Sequence, residues 1–571
     1  MIFRNRACSW LAIGLGLTVL TPAALAQTGS AARPNIVIVL ADDMGYSDLG
    51  CYGSEIETPN LDHLAQEGLS YTQFYNTGRC VPTRASLLTG LYAHQIGLGE
   101  MTGDRGRPGY RGDLGRNGVT LAEVLKSAGY RTYMAGKWHV SLNLDHHKDL
   151  SSWPLQRGFD RFYGTIIGAG SFYDPWTLTR GNEAISPAND PQYQPETFHY
   201  TQAISDHAVR FVREHAEQHG GEPFFMYVSH TAPHWPLHAP QADIEKYHGK
   251  YDAGYAAIRR ARYQRMRGLG VIGDAELSPA PADWSDVPEQ QRAWEARCME
   301  VYAAMIDQMD QGVGQLMAEL KRTGQWENTL ILYLQDNGGC HETYGRKPRK
   351  DAVEGIEPMA PAALQTEMFP PRTRAGRPVL MGPGVMPGPA HSYIAYGRNW
   401  ANVSNTPFRY YKISNHEGGI ATPLIAHWPQ GIEAKGEKRS AVGHVIDVMP
   451  TVVELSGAEY PDAFAGHAIT SMEGQSLLPG FAGEVDGARL LMWEHLGHAA
   501  IRVGDWKLVR LSRGPQGEQP GPWELYHMAT DRSEMHDLAA EKPEKVNQLA
   551  ALWEKHAHRI QIYPYPEARQ R

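Results

Sequence analysis

Four times along this 571-residue chain, a short apolar run breaks off into polar and ionisable residues. Pro34-Asn35-Ile36-Val37-Ile38-Val39-Leu40 ends in Ala41-Asp42-Asp43-Met44-Gly45. Tyr130-Arg131-Thr132-Tyr133-Met134-Ala135 runs into Gly136-Lys137-Trp138-His139. Pro223-Phe224-Phe225-Met226-Tyr227-Val228 empties into Ser229-His230-Thr231-Ala232-Pro233-His234, and Thr329-Leu330-Ile331-Leu332-Tyr333-Leu334 into Gln335-Asp336-Asn337-Gly338-Gly339. Runs that are largely apolar instead of alternating suit strands buried on both faces of a parallel sheet. Helical patterns between them, at 120–125, 200–219 and 292–323, supply the covering layers. The expected fold is α/β, a large mostly parallel or mixed sheet sandwiched by helices. In such sheets ligands bind at the carboxyl ends of the strands, where all four clusters fall.

Two adjacent carboxylates at a strand end are costly to bury unless solvated or bound to a cation, so Asp42 and Asp43 read as metal ligands. A second informative stretch is Cys80-Val81-Pro82-Thr83-Arg84-Ala85-Ser86-Leu87-Leu88-Thr89-Gly90. Pro82 suits a first helical turn because its missing N–H has no intrahelical partner there. That puts Cys80 at a helix N-terminus, where backbone N–H groups favour negative charge, with Arg84 as a fixed cation. The arrangement suits an anionic or oxygen-rich nucleophile.

A net charge of -9 leaves no overall basic excess for binding nucleic acid. The first 26 residues read as a secretory signal, with Arg4 and Arg6, an apolar stretch at 11–20 and Ala24-Leu25-Ala26 for cleavage. The expected mature chain is exported, to the periplasm or medium, without stable membrane insertion. Cys8 leaves with the signal, and Cys51, Cys80, Cys298 and Cys340 are too few for a disulfide framework. Residues 27–479 read as a catalytic domain and 480–571 as a smaller antiparallel-sheet α+β subdomain. Residues 340–400, rich in Gly, Pro and charge, read as an irregular excursion over the active edge. Its Tyr344, Tyr393, Tyr396 and Trp400 could serve an aryl ring or a sugar. Arg259, Arg260, Arg262, Arg265 and Arg267 read as a solvated helix face.

Cys80-Val81-Pro82-Thr83-Arg84 resembles the Cys-x-Pro-x-Arg signature of type I sulfatases. Asp42-Asp43-Met44-Gly45, Gly136-Lys137-Trp138-His139, Pro233-His234-Trp235-Pro236, Asp336-Asn337-Gly338-Gly339 and Lys412 with Glu417-Gly418-Gly419 match further pieces in the same order. The likeness is greatest to bacterial arylsulfatases of the alkaline phosphatase superfamily. It implies that Cys80 is oxidised to formylglycine, by a formylglycine-generating or an anaerobic sulfatase-maturating enzyme. It also implies that Asp42, Asp43, Asp336 and Asn337, with the converted Cys80, bind one divalent cation. All-oxygen ligands suit Ca²⁺, with Mg²⁺ open.

The implied reaction is hydrolysis of a sulfate monoester to an alcohol or phenol plus sulfate. In it one hydroxyl of the hydrated aldehyde attacks sulfur. His234 and Lys412 contact the sulfate and the leaving oxygen. Arg84 and Lys137 hold the nucleophile, and His139 deprotonates the second hydroxyl. Three readings stay open beside it. These are exo-sulfatase action on polysaccharide fragments, phosphodiester or phosphonate monoester hydrolysis, and non-catalytic binding of sulfated glycans.

Overall fold

The computed structural model describes residues 1–2, 33–349, 357–483, 485, 487–513 and 519–566. The expected signal sequence, beyond residues 1 and 2, lies outside them. Arg33–Arg571 form one compact contact unit. Among the described residues no helix is long and apolar enough to cross a membrane.

An eleven-stranded mixed sheet forms the centre. Its strands are β1 (Asn35–Ala41), β2 (Leu69–Tyr75), β3 (Arg131–Lys137), β4 (Arg161–Thr165), β5 (Leu178–Arg180), β6 (Glu183–Ala184), β7 (Phe224–Ser229), β8 (Thr329–Gln335), β9 (Ala421–His427), β10 (Glu437–Arg439) and β11 (Gly443–His444). The order is β10-β2-β9-β8-β1-β7-β3-β4-β5-β6, with β11 also on β2. The block β8-β1-β7-β3-β4 is parallel throughout.

The continuous apolar runs arise because both faces are covered. Val37 and Val39 of β1 enter one core with Met226 of β7 and Ile331 of β8. Their neighbours Ile36, Ile38 and Leu40 enter the other, with Tyr227 and Leu332. Helices α1 (Pro59–Gln66), α4 (Tyr200–His219) and α6 (Glu289–Arg322) line the first face. Helices α2 (Cys80–Thr89), α3 (Leu121–Ser127) and α8 (Val448–Ser456) line the second. Between them in the chain come α5 (Gly254–Leu269) and α7 (Arg398–Ser404).

Register brings the strand ends level. Ala41 pairs with Gln335, Leu40 with Ser229, and Gly136 with Ser229. The residues that follow each strand therefore emerge along one edge. β9 runs antiparallel to β8, with Leu334 opposite Leu424, so its N-terminal end reaches this same edge. That is how the segment carrying Lys412 and Glu417 arrives there.

The C-terminal region forms a four-stranded antiparallel sheet of β12 (Leu490–His495), β13 (His498–Val503), β14 (Trp506–Arg510) and β15 (Glu524–His527). Helix α9 (Pro543–Arg559) packs its buried Leu549 and Trp553 toward the core. A buried charge network ties this sheet to the segment that leads into β9. Lys507 Nζ lies 2.9 Å from Glu417 Oε1 and 2.7 Å from Glu534 Oε1. Arg502 donates to the Tyr75 hydroxyl at 2.6 Å, and that hydroxyl donates to Glu417 at 3.0 Å. Removing one partner from such a network leaves an uncompensated buried charge, a loss of about 3–5 kcal/mol.

Burial also fixes how stability responds to acid. His199 and His230 are driven down to about 3 and His238 to about 4, in each case chiefly by desolvation. The unfolded chain binds these protons near 6.5, while the folded chain resists them until pH 3–4. Stability therefore falls as pH drops from about 6.5 to 4, by about 1.4 kcal/mol per unit for each fully shifted histidine. Urea midpoints measured from pH 7 to 4.5 should decline steeply; a flat profile would contradict this burial.

Candidate active site

The parallel edge gathers seven charged or amide side chains. Asp42 and Asp43 follow β1, Lys137 ends β3, and Asp336 and Asn337 follow β8. Arg84 comes from α2, and Lys412 from the segment before β9. All seven are buried. Arg84 grips Asp336 Oδ2 through Nε at 3.1 Å and Nη2 at 2.8 Å, with Asp42 Oδ2 at 3.7 Å. Ser229 holds this cation from behind, accepting from Arg84 while its own hydroxyl donates to the Lys137 carbonyl at 2.8 Å. Lys137 bonds Asp42 Oδ2. Lys412 Nζ sits 2.6 Å from Asp43 Oδ1, which also accepts from Asn337 Nδ2 at 2.7 Å.

Cys80 is the first residue of α2 and is buried. Thr83 fastens this helix to the end of β8 by donating to the Asp336 carbonyl at 2.6 Å. One turn of α2 thus carries both Cys80 and Arg84, and the Arg84 guanidinium meets the Asp336 carboxylate.

Three oxygens in this cluster are buried without a hydrogen-bond donor: Asp42 Oδ1, Asp43 Oδ2 and Asn337 Oδ1. Buried acceptors are rarely left bare, and bare oxygens from several carboxyl and amide groups are what a hard cation binds. The charge count agrees. Three cations, Arg84, Lys137 and Lys412, face three carboxylates, Asp42, Asp43 and Asp336, so an added divalent ion supplies the surplus positive charge an anionic substrate needs. Burial and the nearby Asp42 charge raise Asp336 to about 6 despite Arg84. For Asp43, burial acts upward, but His234 and Lys412 hold it well below the usual carboxylate range.

His234 and His139 flank the cluster. His234 Nδ1 donates to the Trp235 carbonyl at 2.6 Å, which turns Nε2 toward Asp43 Oδ2 at 3.3 Å. Burial pulls its pKa down to about 3, against the Asp43 charge. An arriving anion adds to the Asp43 effect and favours a proton on Nε2. His139 is pushed well below 6.5 by burial and by Lys137 and Arg84, so it is neutral, with Nδ1 buried and unpartnered. Its ring lies against Gly168, where a Cβ would come within 2.0 Å of the imidazole. Asp43 (φ 62°) and His139 (φ 55°) both occupy the left-handed region, a strain concentrated at this edge.

The expected solvated arginine face does not hold for two of its members. Arg259 and Arg262 are buried. Arg262 bonds Asp48, whose Oδ2 lies 2.8 Å from the Tyr302 hydroxyl; that hydroxyl lies 3.1 Å from the Asp43 carbonyl. Tyr255, Arg259, Arg262 and Met266 share the inward stripe of α5 at helical spacing, a signal present in the sequence. Of the four aromatics in the excursion, Tyr393, Tyr396 and Trp400 are core residues, and only Tyr344 is exposed. His238 donates to the Ser392 carbonyl at 2.7 Å and is structural.

Sequence reasoning missed Glu342. It accepts from Arg79 at 3.1 Å, from Trp235 Nε1 at 2.8 Å and from the Cys340 thiol at 3.3 Å, with Lys412 at 3.9 Å. Burial acts upward on it, but Lys412 and Arg79 hold its carboxyl far below the usual range.

Residues 34–458 match the family model described as Sulfatase, and residues 408–561 match one described as N-sulphoglucosamine sulphohydrolase, C-terminal. An arylsulfatase of Klebsiella aerogenes is 33% identical over 463 residues, covering 78% of this chain and 91% of the relative. An uncharacterized sulfatase of Schizosaccharomyces pombe is 31% identical over 556 residues, covering 91% and 93%. The crystal structure of the PsFucS1 sulfatase from Pseudoalteromonas sp. superposes with a TM-score of 0.56 at 21% identity, covering 94% of this chain and 92% of that one, a likeness of fold. With this breadth of match and this edge of carboxylates and cations around Cys80, the chain belongs to the sulfatase family, enzymes that hydrolyse sulfate esters.

Proposed function

We propose that this sulfatase cleaves aryl sulfate monoesters, using a nucleophile made from Cys80 and one bound Ca²⁺. The observation that carries this reading is the set of donorless oxygens on Asp42, Asp43 and Asn337 beside the start of α2. Asp42, Asp43, Asp336 and Asn337 would hold the ion, which when bound polarises sulfate oxygens and favours an ionised nucleophile. Oxidation of Cys80 to formylglycine by a maturating enzyme would supply a hydrated aldehyde, whose hydroxyls are better suited to sulfuryl transfer than a thiol. The chain's own groups do the rest. Lys412 and His234 face the incoming ester, and His234 Nε2 is placed to give a proton to the leaving oxygen. His139, neutral and with a free nitrogen, is placed to take one. Arg84 and Lys137 hold the carboxylates and neutralise charge. Residues 1–26 would direct the enzyme out of the cytoplasm.

The name of the Klebsiella relative favours an aryl leaving group, while the C-terminal family match favours an amino sugar. The exposed Tyr344 beside Trp235 supports the aryl reading. The deciding experiment compares kcat/KM for 4-nitrophenyl sulfate, bis(4-nitrophenyl) phosphate and N-sulfated glucosamine. The aryl sulfate should lead the others by at least about tenfold, a difference of 1.4 kcal/mol in transition-state binding. A lead for the sulfated sugar would replace the aryl assignment.

A further inference from the structure

A cavity of about 460 Å³ lined by His341, Glu342, Thr343 and Tyr344 opens beside the catalytic edge. It connects to that edge through Glu342, whose Oε2 lies 3.9 Å from Lys412 Nζ, itself bonded to Asp43. A sulfate held at Lys412 and His234 would therefore have this cavity within reach of its leaving group. Tyr344 packs on Trp235 at 4.6 Å between ring centroids, and Phe369 stacks on the same indole at 5.5 Å. Tyr344, backed by Trp235, gives the otherwise polar lining one flat aromatic face that suits a ring.

The charge of the cavity is unusual for an enzyme that binds anions. Glu342 is fixed in place by three donors, Arg79, Trp235 and Cys340. The nearby cations are engaged, Arg79 with Glu342 and Lys412 with Asp43. Among the described residues no lysine or arginine lines the cavity, and burial lowers His341 below the ordinary histidine value, so it adds no positive charge at neutral pH. A second anionic group on the leaving group would meet a carboxylate and no free cation.

We propose that Glu342 is a specificity-determining residue that, from the floor of this leaving-group cavity, restricts the enzyme to sulfate esters with no second negative charge near the ester. The inference rests on the aryl sulfate reading and refines it. It excludes polysulfated and carboxylated leaving groups and selects neutral rings. Its cause is that Glu342 occupies the Arg79 guanidinium and adds its own carboxylate to the lining, so a second anion finds no unpaired cation to receive it.

The test compares 3-carboxyphenyl sulfate with its methyl ester, 3-(methoxycarbonyl)phenyl sulfate, which differ chiefly in that charge. The wild-type enzyme should favour the methyl ester by at least about tenfold in kcat/KM. Glu342→Gln keeps an oxygen acceptor for Arg79 and Trp235 and should bring the ratio to within about threefold. Parity in the wild-type enzyme would overturn the proposal without any variant, as would a Gln variant that keeps the full discrimination. Absence of turnover on either aryl ester, with a sulfated sugar hydrolysed, would instead overturn the aryl reading beneath it.

Discussion

Replacing Cys80 with alanine lowers sulfate release by at least about 10⁴-fold while the protein stays folded. The side chain is small and buried at the first position of α2, and Ala is a good helix former, so truncation disturbs little of the packing. Thr83, Arg84 and their bonds to Asp336 do not depend on it. What disappears is the proposed covalent nucleophile, one turn from the Arg84 guanidinium. Thermal unfolding should match the wild type within a few degrees, which separates lost chemistry from lost fold. Turnover near the wild-type level would remove residue 80 from the reaction.

Stripping divalent ions with a chelator should reduce turnover by at least about 10³-fold and lower the melting temperature together, with both restored by Ca²⁺. The stability change follows from the buried geometry. Asp42 Oδ1, Asp43 Oδ2 and Asn337 Oδ1 have no donor from the protein, so an ion that satisfies them binds the folded chain alone. At a ligand concentration about 100 times its Kd, such linkage contributes about 2.7 kcal/mol. Asp42→Ala should lose the Ca²⁺-dependent rise in melting temperature, a readout that needs no substrate. An unchanged melting curve with and without chelator would contradict the site.

Much of this edge was legible in the sequence for a definite reason. β1, β7 and β8 are buried on both faces, so their runs stay largely apolar, and the sudden appearance of Asp42, His230 or Asp336 marks where each strand ends. Lys412 obeys no such rule. It enters before an antiparallel strand, and only the family resemblance pointed to it. Glu342 lies in an irregular segment with no periodicity, so its role depends on contacts to Arg79 and Trp235, far away in sequence. Arg262 was misjudged because charge suggests solvent, yet its spacing from Tyr255 and Met266 put it on the buried stripe. The short strands β4 to β6 lack a run long enough to stand out from their turns. Nor does composition say which aromatic rings of the excursion face outward; packing buries Tyr393, Tyr396 and Trp400 and leaves Tyr344.

Mass spectrometry of the peptide spanning residue 80, taken from freshly purified enzyme of known specific activity, addresses the centre of the account most directly. The expected result is the mass of the aldehyde at that position, in a fraction of chains that rises and falls with specific activity. Fully active enzyme carrying only an unmodified thiol at Cys80 would contradict it.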